Sequence, residues 1–215
     1  MYLATRELYK TTPTYYYTYS DTITTDYELK DDILYIKGKE SYLPGILEKT
    51  IKAFRYFPMD QYDYVIRSNV STVVDMERVK NHLTRNSLDY GGSFVHDLHW
   101  LDPGNGIVDK RHWGTKYVSG TCIILSKSSI EKLLQQQLDY SVIDDVAIGI
   151  ALKPIKPVCF LERFKAVTEI PVKTDGRWWF YRHRTDDRFK DASHIKWLTK
   201  TLIHSLSTAG SNSST

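Results

Sequence analysis

The run Tyr62-Asp-Tyr-Val-Ile-Arg67 breaks off into Ser68-Asn-Val-Ser-Thr72. Aromatic and β-branched residues predict a strand as far as Arg67, and the polar residues behind it load its carboxyl end with donors and acceptors. Open α/β sheets hold ligands at that end of a strand. On either side, short apolar or aromatic stretches alternate with segments of helical period, which predicts an α/β fold with crossover helices. Thr14-Tyr-Tyr-Tyr-Thr-Tyr19 and Asp32-Ile-Leu-Tyr-Ile-Lys37 read as strands, the first closed by Ser20-Asp21 and the second by Gly38. A helix is predicted from Leu43 to Phe57, with Pro44 in its first turn and Ile46, Leu47, Ile51 and Phe54 on one face.

Past the central run, Asp75 is placed to cap a helix. Residues 84–116 are rich in Gly, Asp, His and Asn and read as a long irregular excursion, a kind of segment that usually carries function. Lys116 to Leu125 reads as a strand interrupted by Gly120, and Ser128-x-x-Glu131 as a capping box for a helix to Leu138. Asp144-Asp145 stands ahead of the helical stretch Val146 to Leu152 and is placed to cap it. A short strand near Val158–Leu161, a loop near Thr174–Arg177 and a helix from Asp191 to Leu206 complete the prediction. The 215 residues show no internal repeat and suit one core. The expected organisation is a single domain over 1–206, with the small polar residues 207–215 as a flexible tail or a linker to a further domain.

Lys and Arg number 29 against 26 Asp and Glu, which leaves +3 and offers no basic surface for nucleic acid. No run approaches the ~20 apolar residues of a membrane span, and the start has no apolar stretch long enough for a signal peptide. Cys122 and Cys159 sit in apolar surroundings without metal-ligand spacing. They are expected to be buried free thiols in a reducing compartment, which implies a cytoplasmic protein. Of 16 tyrosines, twelve precede residue 65, while all five tryptophans follow residue 99. Such a surplus suits a polar, ring-shaped ligand.

Four constellations offer chemistry. Arg67, Ser68, Asn69 and Ser71 could grip a phosphate or a hard cation; the plain alternative is a turn satisfying its own backbone, and Asn69-x-Ser71 is also a formal glycosylation sequon. Asp144 and Asp145 offer one carboxylate as cap and one as base, nucleophile or cation stabiliser, unless both are surface caps. Gly120 and Thr121 allow a ligand close to the backbone, and Trp113 offers a face for a sugar; the alternatives are a bulge and a core residue. Arg182, His183, Arg184 and Arg188 could hold a diphosphate or, through His183, a metal, or form a solvated basic loop paired with Asp186, Asp187 and Asp191. No Gly-rich phosphate loop, serine nucleophile elbow or Cys-His pattern is present.

Three segments carry a resemblance. Tyr64-Val-Ile-Arg-Ser-Asn-Val-Ser-Thr-Val-Val-Asp75 resembles the strand and Asp-x-Asp turn of GT-A-fold glycosyltransferases such as the β-1,3-galactosyltransferase-like families. Lys116-Tyr-Val-Ser-Gly-Thr-Cys-Ile-Ile-Leu-Ser-Lys127 is similar to their Tyr-x-Ser-Gly segment, and Val142-Ile-Asp-Asp-Val-Ala-Ile-Gly149 to their Glu-Asp-Val segment. Ile36 to Thr50, taken with Arg67 to Ser71, also resembles glycosyltransferases of large DNA viruses, including the N-terminal domains of multidomain chlorella-virus enzymes that build capsid glycans.

The resemblance implies one GT-A, Rossmann-like domain with a central mixed, mostly parallel sheet flanked by helices. It implies transfer of a hexose or deoxyhexose from a UDP-sugar to a glycan or glycoprotein acceptor, assisted by Mn²⁺ or Mg²⁺, in the cytoplasm of an infected cell if the chain is viral. Asn69-Val70-Ser71 then occupies the Asp-x-Asp and lacks both carboxylates, so the ion would fall to Ser71, Asp75 or His183. Asp145 takes the position that serves inverting relatives as base, with Asp144 beside it; it either deprotonates the acceptor or stabilises the oxocarbenium-like centre. Thr18, Tyr19 and Ser20 would meet the uridine, Arg182 or Arg184 the diphosphate, and Trp113, Gly120 and Thr121 the acceptor. A non-catalytic nucleotide-sugar or carbohydrate-binding module is the alternative, and a nucleotidyltransferase ranks behind it for want of a Gly-rich basic first loop.

Overall fold

Most of the expected elements form, but they do not join into the expected sheet. In the computed structural model, which describes residues 1–211, α1 (Tyr2–Thr5) precedes β1 (Tyr16–Ser20), β2 (Tyr27–Lys30) and β3 (Ile33–Lys37). Then follow α2 (Gly45–Tyr56), β4 (Tyr64–Ser68), β5 (Thr72–Val74) and α3 (Met76–Arg85). The middle of the chain holds β6 (Tyr90–Gly92), β7 (Val95–Asp97), β8 (Lys116–Val118), β9 (Cys122–Ser126), α4 (Lys127–Gln135) and α5 (Asp144–Ala151). Last come β10 (Val158–Cys159), β11 (Phe164–Val167), β12 (Phe180–His183) and α6 (Arg188–Ser211). The polar end read as a tail begins inside α6, and residues 212–215 lie outside the described residues.

The single, mostly parallel central sheet is overturned. The described strands form four small sheets, ordered β1-β3-β2, β10-β6-β9-β4, β11-β12-β5 and β7-β8. Parallel pairs (β1 with β3, β10 with β6, β11 with β12) stand beside antiparallel ones (β2 with β3, β6 with β9, β5 with β12, β7 with β8). The reason lies in strand and connection length. These strands span two to five residues, and β4 passes to β5 through only Asn69, Val70 and Ser71. A parallel crossover needs a dozen or more residues, so a three-residue link cannot make one.

The chain divides into two compact units: Met1–Thr14 with Ser68–Ser87 and the segment from Leu161 onward, and Tyr15–Arg67 with Leu88–Phe160. In the second, α2 buries Leu47, Ile51 and Phe54 in one core with Ile123 and Leu125 of β9, Ile130 and Leu133 of α4, and Val146 and Ile148 of α5. A smaller cluster joins Tyr19, Leu34, Ile36 and Ala53. In the first unit, Val73, Val167 and Tyr181 pack with Ile195, Leu198 and Leu202 on the period-matched face of α6.

Several local readings are corrected. The stretch 84–116 is not irregular throughout, since it contains β6 and β7. Helix α4 is capped by Ser126, whose hydroxyl accepts from the Ser129 N–H at 3.2 Å, rather than by a box at Ser128 and Glu131; the extended backbone at the end of β9 aims Ser126 at the open helix end. Phe180–His183 is a strand rather than a basic loop, and Cys159 is exposed because it lies on the short outer strand β10. No helix among the described residues is long and apolar enough to cross a membrane.

Candidate functional site

Gly149 lets α5 press against β8: a β-carbon there would sit 2.4 Å from the Tyr117 Cβ. Asp145 lies one helical turn earlier on the same face, and so comes to rest beneath the turn between β8 and β9. Its Oδ2 accepts the Gly120 N–H at 2.9 Å, and its Oδ1 accepts the Val146 N–H at 2.9 Å. The Gly120 carbonyl accepts from Arg67 Nη1 at 2.8 Å, so both polar groups of this residue are engaged. A β-carbon at Gly120 would stand 2.9 Å from that Nη1, which is why the position carries none.

Arg67 comes off the end of β4 with only 9 % of its side chain exposed, and its Nη2 lies 2.5 Å from Asp144 Oδ2. Asp144 Oδ2 makes no directed hydrogen bond, so the pair is a buried ion contact set off the N–H axis. Arg67 Nε–H reaches the Tyr17 oxygen at 3.4 Å; Tyr17 meets Thr50 Oγ1 at 3.0 Å, and Thr50 donates to the Ile46 carbonyl at 2.8 Å. Burial works against the guanidinium charge, but Asp144 above all holds the Arg67 pKa above its ordinary value. Burial first, and then the negative charge of Asp144, pushes the Asp145 carboxyl up to about 6, against the pull of the Gly120 and Val146 N–H groups and of Arg67. The two acidic residues do not precede α5, as their spacing suggested, but form its first turn, with Ile143 as the uncapped neighbour.

The second cluster belongs to the other unit. The turn Asn69–Ser71 is closed by the Thr72 N–H to the Asn69 carbonyl at 3.0 Å. The Asn69 Oδ1 accepts from Thr72 Oγ1 at 2.8 Å, from Ser71 Oγ at 3.4 Å and from Arg182 Nη1 of β12. β12 reaches the turn because its antiparallel pairing with β5 continues through His183 N–H to the Ser71 carbonyl at 2.8 Å. Asp75 is the cap of α3: Oδ1 accepts from the Arg78 N–H at 3.2 Å, and Oδ2 pairs with Arg78 Nε at 3.0 Å. The His183 ring is fully buried, without a hydrogen bond on either nitrogen, and burial followed by the nearby His194 pulls its pKa down to about 4.

These donors do not fit a divalent ion. Asn69 Oδ1 already receives a guanidinium, Ser71 turns its hydroxyl to the same oxygen, Asp75 is committed to the helix end, and His183 is sealed in the core. Among the described residues, no three His, Cys, Asp or Glu side chains are grouped to hold a metal. Hard cations take several oxygen ligands, with carboxylates foremost.

The expected nucleotide residues at the end of β1 are differently placed. Tyr19 is buried, donates to Glu48 Oε2 at 3.1 Å, and lies against Gly38, where a β-carbon would touch its ring at 2.8 Å; its face is not open for stacking. Thr18 donates to Glu40 at 3.0 Å, and Ser20 bonds to Thr22 at 2.9 Å. Trp113 packs against the main core of its unit, with Lys110 Nζ 4.7 Å over its ring. Thr121 Oγ1 bonds to Ser119 at 3.0 Å, Val70 is half exposed at the turn, and Arg184 is exposed just past β12. The structure thus gathers Arg67, Gly120, Asp144 and Asp145 in one unit, and Asn69, Ser71 and Arg182 in the other. Tyr17, one of six tyrosines before residue 20, is the member of the first cluster that spacing did not reveal; its alternation with Tyr19 along β1 was the available signal.

Compared with known proteins, the chain matches no protein-family model and no curated protein. The chemistry the first cluster supports is proton abstraction, by a carboxylate poised near neutral pH and held in position by a backbone N–H.

Proposed function

We propose that the chain is a glycosyltransferase that moves a hexose or deoxyhexose from a UDP-sugar to a hydroxyl of a glycan or glycoprotein. The observation that carries this reading is Asp145: a carboxyl with its pKa near 6, anchored by the Gly120 N–H beside the buried Arg67–Asp144 pair. At pH 7 it is mostly ionised, yet basic enough to accept a proton as the acceptor oxygen attacks the anomeric carbon. The carbon–oxygen bond to the diphosphate breaks as the new bond forms, and UDP leaves with the bonding electrons. Arg67 fixes Gly120 and balances the charge of the acidic pair. The three-segment resemblance to nucleotide-sugar transferases supports the same assignment.

The test is hydrolysis of UDP-sugars by the purified chain without acceptor, followed by transfer with glycan acceptors. Asp145→Asn is expected to lower either rate by about 10²–10⁴-fold while UDP affinity stays within about threefold. The wild-type rate should fall below pH 6, as Asp145 takes up its proton. UDP binding without turnover in wild type would instead leave a nucleotide-sugar-binding module.

A further inference from the structure

We propose that Phe94, His96 and Trp100 form a row of rings that carries a saccharide acceptor and brings one of its hydroxyls to the Asp145 carboxylate. This rests on the transferase reading and goes further, naming where the acceptor lies and which groups hold it.

β7 pairs antiparallel with β8 and sets His96 opposite Tyr117. The ladder runs on past both strands through the Ser119 N–H, which donates to the Phe94 carbonyl at 2.8 Å. Ser119 precedes Gly120, whose N–H is held by Asp145, so Phe94 stands beside the turn that fixes the carboxylate. Alternation puts His96 on the same face as Phe94, and the two rings lie 4.5 Å apart. The His96 ring also stacks at 5.1 Å on buried Tyr117, whose pKa is raised by burial and then by the negative charge of Asp145. Beyond β7 the chain is pinned by Leu98 N–H to the Thr115 carbonyl at 3.0 Å and Gly114 N–H to the Leu98 carbonyl at 2.8 Å. Leu98 is buried, and Trp100 follows with 41 % of its surface exposed, its ring 6.0 Å from His96 and nearly perpendicular to it. The three rings make one connected row within one compact unit, and its Phe94 end adjoins the Gly120 turn.

The chemistry of the row fits a sugar. Flat rings offer apolar surface to the C–H face of a pyranose, and a few polar groups among them fix its orientation. Among the described residues, no hydrogen bond engages either His96 nitrogen or the Trp100 indole N–H, so both rings can meet hydroxyls at the sugar edge. Burial holds the His96 pKa below its ordinary 6.5, so at pH 7 the ring offers one donor and one acceptor. The charges beside the row are paired: Asp97 meets His99 at 2.9 Å and Lys116 at 4.0 Å. A neutral ligand that alternates apolar faces with hydroxyls matches this surface better than an anion, which needs an unpaired cation. Trp113 packs into the core, which leaves Trp100 as the tryptophan of this unit able to meet a sugar.

The experiment is saturation-transfer NMR of the full chain with the neutral disaccharides lactose, cellobiose and maltose, followed by transfer kinetics with the one that binds most tightly. Wild type is expected to pass saturation to the sugar ring protons, and Trp100→Ala to bind at least about tenfold more weakly. The acceptor KM of Trp100→Ala should rise by a similar factor, while its hydrolysis of UDP-sugar without acceptor stays within about threefold of wild type. Trp100→Leu, which keeps apolar bulk without a ring face, should weaken binding equally, and it decides the matter if Trp100→Ala does not fold. Transfer by wild type with an unchanged acceptor KM in these variants would overturn this proposal and leave the transferase reading standing. Absence of saturation transfer to all three sugars would overturn it as well. If wild type binds a disaccharide through Trp100 but turns over no UDP-sugar, the transferase reading fails and the saccharide site stands.

Discussion

Gly120 marks where the smallest side chain matters most. Its N–H fixes Asp145, its carbonyl fixes Arg67, and the guanidinium lies where a β-carbon would project. In Gly120→Ala the guanidinium must move, although it is held by Asp144 and Tyr17. The expected loss is about 1–3 kcal/mol of stability, as for an overpacked interior, read by urea unfolding. The chain itself announced part of this: a glycine inside a strand-like run and two adjacent acids ahead of an apolar helix are visible as residues. The perturbation of Asp145 was not visible, because it comes first from burial and then from Asp144, against the pull of Gly120 N–H and Arg67, which are far away in sequence. Tyr19 teaches the converse. The resemblance placed Tyr19 against the uridine, yet alternation along β1 turns Tyr17 and Tyr19 toward α2, where each finds a partner, at Thr50 and Glu48.

At the scale of elements, caps and periods were the readable parts. The face of α2 with Leu47, Ile51 and Phe54 is buried as its spacing required, and Asp75 caps α3 as its position required. Asp75→Ala is expected to remove about 1 kcal/mol, which for a chain of this size lowers the melting temperature by roughly 2–4 °C. Asp75→Asn, which retains the oxygen that accepts from Arg78 N–H, should lose less; equal losses in calorimetric scans would refute the capping account. The α4 cap was misassigned by two residues because Ser126, Ser128 and Ser129 all offer hydroxyls, and only the backbone path out of β9 selects among them. Strand pairing was the least readable. Strands this short carry too little pattern to name their neighbours, and the β5–β12 ladder delivers Arg182 to Asn69, 113 positions away in sequence.

For the molecule as a whole, pH offers a test of the buried histidine. Burial first, then the nearby His194 and Arg182, lower the His183 pKa from the ordinary 6.5 to about 4, against the pull of Asp191. The unfolded chain therefore binds this proton more tightly than the folded one, so stability is full above about pH 6.5 and declines as pH falls toward 4. The decline should approach about 3 kcal/mol, and His183→Phe should flatten it in urea titrations at pH 4.5 and pH 7. An identical pH dependence in the variant would remove His183 as its source. What the sequence determined by itself was local: helices with one apolar face, capping residues and the polar turn after β4. Each depends on neighbours a few positions apart. Only the tertiary structure decided that four small sheets replace one, that Asn69 meets a guanidinium, and that Asp145 titrates near 6. Those outcomes depend on burial and on contacts between distant segments, which spacing along a chain does not encode.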